Sequence, residues 1–202
     1  SPLSSCEIYN PSLMTWTTAP SIATARSWFS AVLLNSNNVL ITGGFTGSAY
    51  LSSCELYISS LNTWSNLPSL STSRNQHSTV KLTNGNAIVI GGYNGSGLLS
   101  CEIFNSTTSI WTNATSMATA RRFHTASLMQ NNKIIVTGGS IPGIYISSAE
   151  MYYITADSWS TLPSMSSMRE RHTATILPNN NLLITGGYDG SADLSSCEMF
   201  MS

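Results

Sequence analysis

Residues that could do acid–base chemistry recur at one fixed interval along this chain. A glutamate appears about every 48 residues, and an arginine follows each of the first four. The glutamates are Glu7, Glu55, Glu102, Glu150 and Glu198, and the arginines are Arg26, Arg74, Arg121 and Arg169. A carboxylate and a guanidinium that recur together predict a repeated ion pair. A buried pair of this kind specifies a structure more than it stabilises one, and it does not point to catalysis.

Histidines and cysteines could bind metal or form disulfides, but each type also keeps to one repeat position. The histidines are His77, His124 and His172, and the cysteines are Cys6, Cys54, Cys101 and Cys197. Side chains one repeat apart would have to converge to bind a metal, and a disulfide needs Cα atoms within about 7 Å. We therefore expect structural imidazoles, buried free thiols, and neither a metal site nor a cofactor.

Glycine pairs close each repeat, and three of them read G-G-x-x-G, as some phosphate-binding loops do. The pairs are Gly43-Gly44, Gly91-Gly92, Gly138-Gly139 and Gly186-Gly187. A phosphate-binding loop must open a helix, whereas these lead into another apolar strand, so we expect turns. Every residue type capable of catalysis then falls on a repeat position. No unique catalytic constellation remains, and we expect no enzyme activity.

Composition excludes two further classes of function. Only 8% of the 202 residues are charged and the net charge is −1, against about 25% charged residues in ordinary soluble domains. The polar surface comes instead from 36 Ser, 22 Thr and 17 Asn. Without a basic stripe, nucleic acid is a poor partner. No apolar run approaches the ~20 residues of a membrane span, so we expect no membrane insertion.

The repeated residues must be positioned by strands. In each repeat an aromatic residue follows the glutamate at +2, a tryptophan follows at +9, and the apolar runs are short and rich in β-branched residues, which predicts strands. Asn84-Gly85 between two such runs predicts a hairpin. Four strands per repeat, apolar on both faces, must stack against similar sheets. We place the single repeat array in units 4–51, 52–99, 100–146 and 147–194 with a partial unit 195–202.

The combined pattern Arg-x-x-His, apolar-Gly-Gly, Glu-x-aromatic and Trp resembles the kelch repeat. The resemblance implies an all-β, kelch-type β-propeller of four four-stranded blades, with strands a to d running outward from the axis. Strand a then begins near the histidines, strand b precedes the glycine pairs, strand c carries the glutamate and strand d the tryptophan. Phe29, Ala149 and Ser140 depart from the pattern without removing a backbone requirement.

The strand count bears on completeness. The chain begins with strands c and d, continues with three full sets, and ends with a, b and c, so it has one more c strand than it has of any other. This count is consistent with a chain that forms part of a larger propeller or assembly. A closed four-blade ring is the alternative, in which the N-terminal strand d completes the last sheet and one strand c is surplus.

Binding residues are expected where the repeats differ, because loops on a rigid scaffold carry function. The resemblance puts the d–a and b–c loops on one face, and Trp, Tyr, Phe and Arg are common at interface hot spots. The candidate binding residues are Trp28, Tyr50, Gln76, Tyr93, Arg122, Phe123, Tyr145, Arg171 and Tyr188.

The resulting prediction is a non-catalytic interaction or structural module that binds a protein or glycan and could self-associate into a larger assembly. The ion-poor surface rich in Ser, Thr and Asn favours an extracellular glycoprotein, with a cytoplasmic location as the alternative. Three sequons, at Asn94, Asn105 and Asn113, are candidate glycosylation sites, but their number is no more than this composition gives by chance. Two other functions stay open. One is the propeller of an oxidase resembling galactose oxidase, with copper as cofactor; the other is the kelch adaptor of a ubiquitin ligase, which needs a further domain.

Overall fold

The computed structural model describes residues 1–201, which form strands and loops without any helix that could span a membrane. The strands are β1 (Cys6–Asn10), β2 (Thr15–Ala19), β3 (Ser30–Leu33), β4 (Val39–Thr42), β5 (Cys54–Ile58), β6 (Thr63–Leu67), β7 (Ser78–Lys81), β8 (Ala87–Ile90), β9 (Cys101–Asn105), β10 (Ile110–Ala114), β11 (Thr125–Leu128), β12 (Lys133–Thr137), β13 (Ser140–Ile141), β14 (Ile144–Tyr145), β15 (Ala149–Tyr153), β16 (Ser158–Leu162), β17 (Thr173–Ile176), β18 (Leu182–Thr185) and β19 (Cys197–Phe200).

The strands form the predicted series of small antiparallel sheets. Three sheets are complete: blade I (β3–β6), blade II (β7–β10) and blade III (β11, β12, β15, β16). The N-terminal sheet has only β1 and β2, and the C-terminal sheet has β17, β18 and β19. Each blade thus takes strands a and b from one sequence repeat and c and d from the next. In the described part of the chain β2 pairs only with β1 and does not complete the last sheet, so the four-blade closure is not formed.

Turn residues fix the register of strands a and b. Gly85 has φ 86°, the left-handed conformation that a short hairpin turn requires. Ser78 pairs with Ile90 across the resulting hairpin. Asn37, Asn132 and Asn180 have φ between 59° and 67° at the same position in the other blades. The hairpin predicted at Asn84-Gly85 is therefore formed, and asparagine-containing turns join strands a and b in the other sheets.

The predicted ion pair is present in every blade that has both partners. In blade II, Arg74 Nη2 donates to Glu102 Oε1 at 2.8 Å, and Arg74 Nη1 donates to the carbonyls of Gly91 and Ser100. The Glu102 carboxylate also accepts the Ser71 amide at 2.7 Å. Arg74 therefore ties the loop before strand a to strands b and c. The other pairs are Arg26–Glu55, Arg121–Glu150 and Arg169–Glu198.

The glycine pairs allow one blade to approach the next. Gly43 has φ 60°, and a Cβ atom there would clash with the Arg74 carbonyl oxygen. The Gly44 amide donates to that same oxygen at 2.8 Å. No larger side chain fits at Gly43, so the pair serves backbone packing between blades I and II rather than phosphate binding.

The core lies between the sheets, where the b strands are buried on both faces. Ile88, Val89 and Ile90 have no exposed surface, and the cluster around Ile88 continues into blade III through Ile134 and Val136. Burial on both faces explains the continuous apolar runs at these positions.

The tryptophans of strand d join neighbouring sheets at the outer rim. The indole N–H of Trp64 donates to the Pro20 carbonyl of the preceding d–a loop at 2.9 Å. Trp111 and Trp159 make the equivalent bonds to Pro68 and Thr115. Trp16, in the N-terminal sheet, is 65% exposed.

All four cysteines are free, but the expectation that all are buried was wrong for two of them. Cys54 and Cys101 are buried, whereas Cys6 is half-buried and Cys197 is exposed. Burial raises the pKa of Cys54 and of Cys101 to about 12. Cys6 and Cys197 lie in the two incomplete sheets, which lack the strands that cover this position in blades I and II.

Candidate functional site

The d–a and b–c loops of each blade lie side by side and form one surface, here called the loop face. Ser27 bridges Phe45, Asn75 bridges Tyr93, and Glu170 bridges Tyr188. The backbone ladder therefore extends from the strands into the loops and fixes their relative position. The predicted candidate residues lie on or beside these bridges.

Four of the candidate positions share an unusual backbone. The residue just before the histidine position has φ between 51° and 55° in every sheet that has this loop: Trp28, Gln76, Phe123 and Arg171. The Gln76 amide donates to the Trp28 carbonyl at 2.9 Å, the Phe123 amide to Gln76 at 3.0 Å, and the Arg171 amide to Phe123 at 2.9 Å. Non-glycine residues in this region are strained, and such strain concentrates at functional sites.

Aromatic and guanidinium groups form a continuous ladder across the loop face. Trp28 stacks on Phe45 at 6.0 Å between ring centroids, and Phe45 contacts Tyr50 at 5.2 Å. Tyr50 meets Tyr93 edge-on at 5.7 Å. Trp28 is 54% exposed, so the ladder is accessible at this end.

Arg122 continues the ladder into blade III. Its guanidinium carbon lies 4.7 Å from the Tyr93 centroid and 5.5 Å from that of Phe123. Its Nε donates to Ser140 Oγ, and it forms no ion pair within residues 1–201. Arg122 therefore presents an unneutralised charge between two rings. The members of the ladder are Trp28, Phe45, Tyr50, Tyr93, Arg122, Phe123 and Arg171.

Arg171 ends the ladder and introduces an acid that the sequence analysis did not single out. The Arg171 guanidinium lies 4.2 Å from the Phe123 centroid, and its Nε is 3.2 Å from Glu170 Oε1. Glu170 is buried and also accepts a hydrogen bond from Ser140 Oγ at 2.5 Å. Glu170 and Ser140 have no counterparts in the other repeats. The only sequence signal was that Ser140 replaces the aromatic residue that follows the other glycine pairs, and Glu170 gave none.

Tyr145 and Tyr188 form a second group beside the ladder. Their rings meet edge-on at 5.6 Å, and β14 brings Tyr145 onto the loop that contains Tyr188. A cavity of about 560 Å³ there is lined by Tyr145, Glu170, Arg171, Tyr188 and Asp193 among others. The hairpin of β13 and β14, which shapes this cavity, was predicted only as a loop.

Two of the histidines, which immediately precede the a strands, contact strand b of the preceding blade. His77 Nε2 lies 2.8 Å from Thr42 Oγ1, and His172 Nε2 lies 3.0 Å from Thr137 Oγ1, in each case in the preceding blade. His124 has Ile90 at the corresponding position, and neither of its ring nitrogens has a hydrogen-bond partner. Burial, aided by a nearby arginine, lowers the pKa of His77 to about 3 and of His172 to about 4, and lowers that of His124 well below its usual value.

Asn105 and Asn113 lie outside the loop face, whereas Asn94 directly follows Tyr93 of the ladder. Asn94 is half-buried in the b–c loop of blade II, and Asn113 is exposed on the outer strand β10. Asn105 is half-buried, and its Oδ1 accepts the amides of Thr107 and Thr108 in a turn. Throughout residues 1–201, no three His, Cys, Asp or Glu side chains are grouped so as to hold a metal ion.

Comparison with known proteins agrees with this architecture. Residues 3–187 match the family model described as the KLHDC2/KLHL20/DRC7 Kelch-repeats domain. No curated protein matches the chain. A solved structure titled "Structure of YjhT" superposes with a TM-score of 0.76 at 17% identity, over 86% of this chain and 62% of that one. At this identity the likeness shows the fold alone, and this chain spans about 62% of that chain's length.

The repeat, the sheets and the family match lead to one assignment. The predicted kelch resemblance and the all-β propeller architecture are both confirmed. Kelch propellers generally mediate protein interactions, and such a module fits an interaction or adaptor role. This chain belongs to the kelch-repeat family.

Proposed function

We propose that the chain is a non-catalytic interaction module that binds an extended segment of a partner protein along the ladder of the loop face. The observation that carries the proposal is the unneutralised Arg122 guanidinium held between the rings of Tyr93 and Phe123. A few residues carry most of the energy in protein interfaces, and tryptophan, tyrosine and arginine are enriched among them. A partner that offers apolar side chains and a carboxylate would match both the rings and the charge.

The shared backbone conformation of the d–a loops supports the same surface as the binding site. Invariant backbone hydrogen bonds hold Trp28, Gln76, Phe123 and Arg171 in the left-handed region, although their side chains differ completely. The four positions share one backbone conformation while their side chains vary from blade to blade, so the scaffold can present different chemistry to a partner in each blade. The buried, repeated glutamates and arginines are already engaged in ion pairs and hydrogen bonds within the scaffold. The side chains that differ between blades and are free to bind a partner therefore lie on the loop face.

The test is selection of peptides from a random display library on the immobilised 202-residue chain, followed by affinity measurement of the individual selected peptides. We expect Trp28→Ala, Phe123→Ala and Arg122→Gln each to weaken binding by tenfold or more, equivalent to ~1.4 kcal/mol. The matched control is Trp16→Ala, because Trp16 is also an exposed tryptophan but lies on the outer rim. Peptides that bind the ladder variants as well as the unchanged chain would overturn the assignment.

We also propose an extracellular location. It is supported by the neutral Ser, Thr and Asn surface and by the exposure of the Asn113 sequon on strand β10. Intact mass of the natively isolated protein, before and after glycosidase treatment, tests it. A mass that falls in sugar-sized steps supports the proposal, and an unmodified polypeptide mass opposes it.

A further inference from the structure

One backbone bridge of the loop face reverses the sizes of its two residues. In three sheets a smaller polar residue of the d–a loop pairs with the aromatic residue that follows the glycine pair: Ser27–Phe45, Asn75–Tyr93 and Glu170–Tyr188. In blade III the pair is Arg122 and Ser140. Residues directly opposite each other in an antiparallel pair carry their side chains on the same side, so the small serine leaves room for the arginine. The ladder accordingly has a guanidinium rather than an aromatic ring at this bridge.

The hydroxyl of Ser140 joins Arg122 to a buried acid. Ser140 Oγ lies 2.5 Å from Glu170 Oε2, and Arg122 Nε lies 3.4 Å from the same hydroxyl oxygen. A carboxylate can only accept hydrogen bonds. The single proton of the hydroxyl is therefore donated to Glu170, and the oxygen accepts from Arg122. Ser140 and Glu170 are both buried, so the low local dielectric strengthens these bonds.

Arg171 takes up the charge of Glu170 and leaves Arg122 its own. Arg171 Nε is 3.2 Å from Glu170 Oε1, the second oxygen of the carboxylate. Within residues 1–201 the only side-chain hydrogen bond of Arg122 is the one from Nε, so both of its Nη groups are free. A guanidinium anchored through Nε keeps its two Nη donors for a bidentate bond to a carboxylate.

We propose that Ser140 and Glu170 are positioning residues, which fix the Arg122 guanidinium so that the ladder selects a partner carboxylate over the corresponding amide. The proposal rests on the proposed function and adds the residues that set its charge specificity. Without the Ser140 hydroxyl, the Arg122 side chain is free to rotate, and ordering it on binding costs conformational free energy. The rings of the ladder would still bind apolar groups, but the chain would discriminate poorly between an acid and its amide.

The first test measures the positioning without any partner. The chain has six arginines, and ¹H–¹⁵N NMR observes their Nε–H groups. We expect the Arg122 Nε–H to exchange with water more slowly than in free arginine, and to exchange faster in Ser140→Ala and in Glu170→Ala. Ser140→Thr keeps a hydroxyl and should restore slow exchange. The matched control is Ser27→Ala, which removes a hydroxyl bonded to the Phe45 carbonyl on the same face. Equal exchange in the unchanged chain and in both alanine variants would overturn the proposal.

The second test measures the specificity with the peptides selected on the loop face. Each is compared with a copy in which the acidic residues are replaced by their amides. The unchanged chain is expected to prefer the acidic form by at least ~10-fold, and Ser140→Ala by less than ~3-fold. Peptides that need Trp28 but bind equally well as amides would overturn this inference and leave the proposed function standing.

A third arm applies if the library yields no peptide, which would count against the proposed function itself. Sodium acetate is then compared with sodium chloride at equal concentration. Acetate is expected to shift the Arg122 Nε–H signal more than chloride does, and Ser140→Ala is expected to remove the difference. Equal shifts with the two salts in the unchanged chain would overturn the positioning proposal as well.

Discussion

The imidazole of His77 hydrogen-bonds the hydroxyl of Thr42 at 2.8 Å across the boundary between blades I and II. His172 makes the same bond to Thr137 between blade III and the C-terminal sheet. At the intervening boundary the threonine position is occupied by Ile90, so His124 is buried without a partner. One boundary of three therefore lacks a bond that the other two possess.

A hydroxyl introduced at position 90 should form a hydrogen bond with His124. Ile90→Thr removes buried apolar surface, which destabilises the chain, but it also supplies the missing partner. We expect the substitution to cost about 1 kcal/mol less in the unchanged chain than in the His124→Phe background. Urea unfolding of the four proteins of this double-mutant cycle gives the difference. Equal costs in both backgrounds would contradict the expected hydrogen bond.

Stability should fall on acidification as the three histidines are forced to charge. Their folded-state pKa values lie below the ordinary 6.5, at about 3 for His77 and about 4 for His172. The unfolded chain then binds more protons between these values and 6.5, so the free energy of unfolding is highest above pH 6.5 and decreases as pH falls towards 4. Each histidine contributes a slope of about 1.4 kcal/mol per pH unit near pH 5. Urea unfolding from pH 7.5 to 4.5 measures the slope, and His124→Phe should remove about one third of it.

Loss of a glutamate from a buried ion pair should destabilise the chain far more than loss of the equivalent exposed glutamate in the N-terminal sheet. Glu102→Gln leaves the Arg74 guanidinium buried without its counter-charge, which is expected to cost about 3–5 kcal/mol. Glu7 occupies the same repeat position but is exposed, with no ion pair among the described residues. Glu7→Gln should therefore change the free energy of unfolding by less than about 0.5 kcal/mol. Similar costs for the two substitutions would show that the pair is not the source of the effect.

The left-handed backbone at Gln76 predicts which substitutions at this position destabilise the chain more. Gln76→Gly fits φ 55° without strain, so we expect stability within about 1 kcal/mol of the unchanged chain. Gln76→Val places a β-branched residue in a region that excludes it and should destabilise by more than about 2 kcal/mol. Thermal unfolding of the two variants measures the order, and the reverse order would mean that the backbone bond to Trp28 does not hold this conformation.

Thiol labelling should separate the cysteines by sheet. Cys197 is exposed and should react with iodoacetamide first, followed by half-buried Cys6. Burial raises the pKa of Cys54 and of Cys101 to about 12, so these thiols are protonated and inaccessible at pH 8. Mass spectrometry of labelled peptides over time checks the order. Rapid labelling of Cys54 in the folded chain would contradict the packing of blade I.

The repeat made the strand order predictable because each strand carries its own marker. Glu102, Trp111 and the Gly91-Gly92 pair each identify one strand, and their fixed spacing leaves one way to form a sheet. The ion pair of Arg74 and Glu102 was predictable for the same reason. Burial of individual cysteines was not, because it depends on which sheet lacks a covering strand, as Cys197 shows.

The candidate site was predictable in membership but not in geometry. Trp28 and Arg122 stood out because they vary between repeats, and Tyr93 because it lies in a b–c loop. Their contacts, however, cross from one blade to another and have no signal in a single repeat. The hydrogen bond between Ser140 and Glu170 joins residues 30 positions apart. Neither residue matches a repeat pattern, so only the assembled blades bring the two together.

The backbone bonds that link Trp28, Gln76, Phe123 and Arg171 use only atoms that nearly all amino acids share. A residue that tolerates the left-handed conformation can therefore be exchanged at any of these positions without loss of the bonds that hold neighbouring blades together. After blade duplication, each blade can in this way change its ligand preference independently. The side chains of the recognition surface can diverge while the backbone hydrogen bonds of the scaffold are kept.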